Sequence, residues 1–173
     1  MSKWWKRDTA VDSGRRRLMG GLALAGSVFA AASGAVRAEE KKPEDKALRF
    51  PGDPPEHYVV YQLNKAEPEY HDHIVFSVGA MLRQYGDNIK VAVVAFGPGI
   101  HVLLKNPRRV VTQTVHEKIV SLHDYGVDLF ACGNTLKSLN LGPADVLPIA
   151  TVVEVGASKL MELQKQGYAY ISW

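Results

Sequence analysis

Ile89-Lys90-Val91-Ala92-Val93-Val94-Ala95-Phe96 is apolar at every position except Lys90, and it stops at Gly97-Pro98-Gly99. A continuous apolar run of strand length, closed by glycine and proline, is the pattern of a strand covered on both faces. Such strands occur in parallel sheets with helices packed above and below. The sequence on either side agrees. Upstream, Tyr58-Val59-Val60-Tyr61-Gln62-Leu63 is β-branched and aromatic and reads as a first strand. Between the two, Pro68 suits a helix first turn, and Ile74, Val78, Met81, Leu82 and Tyr85 form a core-facing stripe that Gly86 ends.

Downstream, Thr114 and Glu117 predict a capping box for a helix through Tyr125, closed by Gly126. Residues 127–131 predict a third strand, and Cys132-Gly133-Asn134-Thr135 turns into a short helix bearing Leu136 and Leu139. Residues 149–155 predict a fourth strand, 158–166 a last helix with Leu160 and Leu163 inward, and 168–171 a closing strand. The expected fold is α/β: a mostly parallel five-stranded sheet with helices on both faces, a flavodoxin-like three-layer arrangement. In such sheets reactive groups gather at the carboxyl ends of the strands. Two segments lie there: Gly97-Pro98-Gly99-Ile100-His101 and Cys132-Gly133-Asn134.

The chain has 173 residues and a formal net charge of +3. That length suits one domain with a single sizeable core. The charge is unevenly spread. Residues 1–38 hold seven Lys/Arg and two acids, a net of +5, which leaves −2 for residues 39–173. The basic end reads as a targeting signal. Arg15-Arg16-Arg17 precedes the uncharged, Ala- and Gly-rich stretch 20–35, and Val36-Arg37-Ala38 offers a cleavage site. The stretch is short for a membrane span, and the arginines before it resemble a twin-arginine (Tat) signal; a general secretory signal or an uncleaved N-terminal anchor is the alternative. Export to the periplasm is expected, with membrane contact only through this signal. Residues 39–55 mix acids, lysines and prolines and read as a flexible linker, which places the folded domain at 56–173.

One cysteine excludes a disulfide framework, a CxxC redox pair and a cysteine-rich zinc site. Cys132 itself stands between a strand and a predicted helix, where unpaired N–H groups and the helix dipole favour thiolate. Gly133 allows a tight turn that leaves the sulfur accessible, and Asn134 or Thr135 supplies a helix cap. The opposing possibility is a buried, inert thiol. His101, in the other strand-end loop, is the expected neighbour of Cys132; its partial protonation would lower the thiol pKa. His71 and His73 point to different helix faces, and His116 and His123 share a polar face. No spacing matches a metal site. Gly97-Pro98-Gly99 lacks the dinucleotide-binding spacing, so no cofactor is expected. Arg108-Arg109 on a net-acidic domain is too little for nucleic acid.

The segment Val127-Asp128-Leu129-Phe130-Ala131-Cys132-Gly133-Asn134-Thr135-Leu136 resembles the hallmark of the DsrE/DsrF-like family. The stretch 91–104, with its Val-Val-Ala-Phe-Gly-Pro-Gly-Ile-His-Val-Leu-Leu run, and the closing 162–171 are similar to it as well. The resemblance covers roughly 58–173. It implies a YchN-like fold that assembles into homotrimers or homohexamers. In the sulfur-relay branch it implies a cysteine that carries sulfur as a persulfide between a donor and an acceptor protein. Cys132 matches the cysteine of many single-domain members, with His101 and Asn134 as its expected neighbours. Two other readings stand beside a periplasmic sulfur carrier or sulfurtransferase-like relay protein. One is a non-catalytic oligomeric binding protein with a structural cysteine; the other is a metal or small-ligand sensor.

Overall fold

The computed structural model describes residues 48–50 and 52–173. The leader expected at 1–38, and the linker as far as residue 47, lie outside the described residues. Strands β1 (His57–Leu63), β2 (Ile89–Ala95), β3 (Asp128–Cys132), β4 (Ala150–Val153) and β5 (Ala169–Ile171) form one sheet. Its order is β4-β3-β2-β1-β5, and each strand pairing in it is parallel. Helices α1 (Pro68–Tyr85), α2 (Gln113–Asp124), α3 (Gly133–Ser138) and α4 (Gly156–Lys165) connect the strands in turn. The five-stranded parallel α/β fold expected from the sequence is the fold observed.

The strand order dictates which helix covers which face. From β1 to β4 each new strand is added on the same side, so right-handed crossovers keep α1, α2 and α3 on one face. The step from β4 to β5 runs back across the sheet to the far edge, which sends α4 to the other face. The core divides accordingly. Val59, Tyr61, Val91, Val93, Leu129 and Ala131 pack with Ile74 and Val78 of α1, Ile119 of α2 and Leu136 of α3. The alternate strand positions Val60, Ala92 and Val94 pack under Leu160 and Leu163 of α4. β2 is therefore apolar throughout because both of its faces are covered. Lys90 is the exception, and its ammonium donates to Asp128 Oδ1 at 2.9 Å and to the Gly126 carbonyl at 3.1 Å.

Two local expectations are corrected. The cap of α2 is Thr112, whose hydroxyl accepts from Val115 N–H at 3.2 Å. The capping box expected from Thr114 and Glu117 does not form; Glu117 accepts instead from the Gln113 side chain at 2.8 Å. The helix starts early enough to set Val115, Ile119 and Leu122 inward at helical spacing, and Thr114 is left exposed within its first turn. Thr112→Ala should therefore cost about 1 kcal/mol in urea unfolding, and Thr114→Ala close to nothing. Equal losses at both positions would refute the assignment.

The second correction concerns the segment after β2. It is a 3-10 turn, Gly97–Leu103, that folds inward and buries Gly99 through Leu103. Gly99 makes this possible, since a Cβ there would lie 2.4 Å from the Leu63 carbonyl oxygen. The turn is thus wedged against the end of β1.

Candidate functional site

Adjacent strands β3 and β4 send their chains to opposite faces, β3 into α3 and β4 into α4. Their carboxyl ends therefore flank the topological switch point, where open parallel sheets present a crevice. Cys132 is the last residue of β3, paired in register with Val153 of β4.

Two glycines let the chain close around the sulfur. A Cβ on Gly133 would lie 3.0 Å from the Val153 carbonyl oxygen. One on Gly156 would lie 3.1 Å from Cys132 Cβ and 3.3 Å from the Phe96 side chain. With no side chain in the way, Gly156 N–H reaches Cys132 Sγ at 3.2 Å. Asn134 N–H donates to the Glu154 carbonyl at 3.1 Å and ties the start of α3 to the end of β4. Thr135 Oγ1 accepts from Gly97 N–H at 3.0 Å, which turns its hydroxyl proton away from the 3-10 turn and frees it for the sulfur.

These donors decide the thiol's acidity. Burial pushes Cys132 up, since charge is disfavoured away from water. The Thr135 hydroxyl, the Gly156 N–H and the N–H groups of Thr135 and Asn134 outweigh it, so the thiol sits below its ordinary value. Asn134 N–H is already engaged by Glu154, so it acts through its field rather than by a direct bond. The result is a thiol more acidic than a free cysteine that is only 5% exposed. Gly133 does not leave the sulfur open, as its sequence position suggested; it lets α3 approach β4 and helps to enclose it.

Of the expected neighbours, Asn134 acts on the thiol through its N–H, whereas His101 is engaged by Arg108. Cys132 stands at the N-cap position of α3, so neither Asn134 nor Thr135 is the cap; both lie in the first turn. The Asn134 side chain is exposed. His101 is 3% exposed in the 3-10 turn, and its Nδ1 accepts from Arg108 N–H at 3.1 Å. Burial, then the charges of Arg109 and Arg108 and the nearby His71, lower its pKa and hold the ring neutral. A protonated His101 acting on the thiol is thus corrected: the groups that act on Cys132 are Thr135, Gly156 and Asn134.

Thr135, expected only as a helix cap, and Gly156 are the site residues whose part sequence reasoning missed. The signal for Gly156 was a glycine opening a helix directly after a strand, which marks a close backbone approach. His71 and His73 do face apart, one buried and one exposed. Among the described residues, no cluster of three or more His, Cys, Asp or Glu side chains is arranged to hold a metal ion. No helix of the described residues is long and apolar enough to cross a membrane. A surface groove of about 470 Å³ runs between α1 and α2, lined by Phe76, Arg83, Lys118 and Tyr125 among others, and shares no residue with the Cys132 site.

Fold and site together define a small parallel α/β protein organised around one thiol at its switch point. The DsrE/DsrF-like family model matches residues 49–173, and the chain belongs to that family. Solved structures share its fold. A protein of unknown function, MTH1491 from Methanobacterium thermoautotrophicum, is 23% identical with a TM-score of 0.61, over 68% of this chain and 99% of that one. The ychN protein from E. coli is 10% identical with a TM-score of 0.57, over 68% and 99%. The conserved protein of unknown function BT1422 from Bacteroides thetaiotaomicron is 12% identical with a TM-score of 0.52, over 67% and 94%. No curated protein matches the chain.

Proposed function

We propose that this protein is an exported sulfur carrier in which Cys132 holds sulfur as a persulfide. The observation that carries the proposal is the ring of donors around a single thiol. A carrier needs a thiolate at neutral pH and no second cysteine to trap the sulfur as a disulfide. The Cys132 thiolate attacks the outer sulfur of a donor persulfide, R–S–SH. The new bond is Cys132 Sγ–S, and the donor leaves as the thiolate R–S⁻. An acceptor thiolate then takes the same sulfur and returns Cys132 as thiolate. Electrons balance without an external oxidant, because the donor brings sulfur already at the sulfane level.

The leader at 1–38 supports a periplasmic site of action after Tat-like export, with the donor and acceptor proteins met there. Membership of the DsrE/DsrF-like family supports relay chemistry and assembly as a homotrimer or homohexamer. The test is to incubate the protein with a sulfane donor and weigh it. One added sulfur atom on the wild type, absent in Cys132→Ser, is the expected result; an adduct that survives the substitution, or none on the wild type, overturns it. The 5% exposure of Cys132 favours a second reading, a binding protein with a structural thiol. Native thiol labelling separates the two, since an inert core cysteine reacts only on unfolding.

A further inference from the structure

His71 and His101 are the two buried polar side chains among the described residues, and the sulfur chemistry uses neither. They lie just beyond the carboxyl ends of neighbouring strands, His71 in the first turn of α1 and His101 in the 3-10 turn after β2. His101 Nδ1 accepts the Arg108 N–H, so that nitrogen is unprotonated and the proton of the neutral ring is on Nε2. His71 Nε2 lies 2.8 Å from the Lys65 carbonyl, which can only accept, so Nε2 carries the proton. His71 Nδ1 is then a bare lone pair, buried without a partner. The His101 ring has no place for a second proton, which would set N–H against N–H at Nδ1.

The segment held by His101 reaches the thiol helix. The Arg108 guanidinium donates to the Leu139 carbonyl at 2.8 Å, at the C-cap of α3. Lys105 N–H donates to the Asp145 carbonyl at 2.9 Å, its ammonium donates to the Ala144 carbonyl at 2.7 Å, and Leu104 bridges Val146. Residues 104–108 thus brace α3 and the connection that follows it.

We propose that His101 forms an acid-released latch on the segment 105–111 and, through Arg108, on α3, the helix that opens at Cys132. Protonation of His101 Nδ1 breaks its hydrogen bond to Arg108 N–H and places a cation beside Arg108 and Arg109. The groups acting on His101 are Arg109, Arg108 and His71, with no carboxylate to compensate. Its pKa is lowered in the folded protein, so the folded state binds fewer protons than the unfolded one. The stabilisation is complete above the ordinary histidine value of about 6.5 and is lost as pH falls from there toward the folded value. The latch stands whatever Cys132 carries.

Hydrogen exchange at about pH 7.5 and about pH 5, corrected for intrinsic rates, tests it. Peptides covering 104–112 should lose about tenfold in protection at the lower pH while the β2 peptide keeps its own. His101→Asn offers Oδ1 in place of Nδ1 and does not titrate, so it should abolish the difference. Equal protection at both pH values in the wild type, or a pH effect that persists in His101→Asn, overturns the latch. Should that variant fail to fold, imidazole nitrogen NMR of the wild type serves instead. His101 must titrate together with a shift of the Arg108 amide; a titration that leaves the amide unmoved is equally fatal.

Discussion

Gly99→Ala should remove a large part of the domain's stability. An ideal Cβ at this position lies 2.4 Å from the Leu63 oxygen, 2.6 Å from the Leu63 carbonyl carbon and 2.7 Å from the Asn64 nitrogen. All three are backbone atoms, so no side chain can rotate away. Relief requires moving the end of β1 or lifting the 3-10 turn, and either motion strains the Phe96 N–H to Leu63 carbonyl bond of 3.1 Å. Overpacking a well-ordered interior costs about 1–3 kcal/mol, and a clash against the backbone of the Leu63–Asn64 peptide belongs at or above the top of that range. Domains of this size are stable by only about 5–15 kcal/mol, so the urea midpoint should fall steeply with little change in slope. Gly142→Ala is the control: nothing lies within 4 Å of its added methyl, and the effect should be small. A Gly99→Ala variant within about 0.5 kcal/mol of wild type would show that the turn is not wedged against β1.

Thr135→Val should slow alkylation of Cys132 about tenfold at neutral pH. Among the groups that lower the thiol pKa, the Thr135 hydroxyl ranks first, ahead of the Gly156 N–H. A hydrogen bond to a charged group is worth about 1.5–3 kcal/mol, and 1.4 kcal/mol corresponds to a factor of ten in the thiolate population. Valine keeps the shape and deletes the donor. The inflection of rate against pH should move toward higher pH, the direction in which burial alone drives the sulfur. Valine also strands the Gly97 N–H, which now bonds Thr135 Oγ1, so a loss of about 1–3 kcal/mol in stability accompanies it. Thr135→Ser keeps the hydroxyl, and with it the acceptor for Gly97 N–H, and should restore the rate profile. A profile that does not move in Thr135→Val would mean the hydroxyl is not directed at the sulfur.

The fold was legible because its signals are long and consistent. The apolar run at 89–96, the stripe from Ile74 to Tyr85 and the glycines that end elements each point to the same alternation of strand and helix. Boundaries were less legible where two candidate caps stood close together: Thr112 and Thr114 differ only in which register turns Val115 and Ile119 inward. The site was legible in its centre alone. Cys132 is marked by its place between strand and helix, and Asn134 and Thr135 follow within three residues, but the donor that bonds the sulfur directly, Gly156, lies 24 residues on. His101 misled because a loop position says nothing of burial. Its ring fills the interior of a turn that local pattern reads as open chain, and there the Arg108 amide claims the nitrogen that would have taken a proton.

The strand order also sets a timetable for folding. β1 pairs with β2 at a separation of about 30 residues, whereas its other neighbour is β5, with Tyr61 opposite Ile171, 110 residues away in the chain. Pairings closed over such spans form late and slowly, because the loop entropy is spent before any contact is gained. The layer built on α1, α2 and α3 can therefore assemble while the opposite side of the sheet is still bare. Val60, Ala92 and Val94 meet water or a foreign surface until α4 and β5 arrive. On the ribosome that interval lasts until residues 156–171 have emerged. Aggregation in this protein is accordingly a hazard of the newly made chain, concentrated on one side of the sheet and ended when α4 and β5 are added.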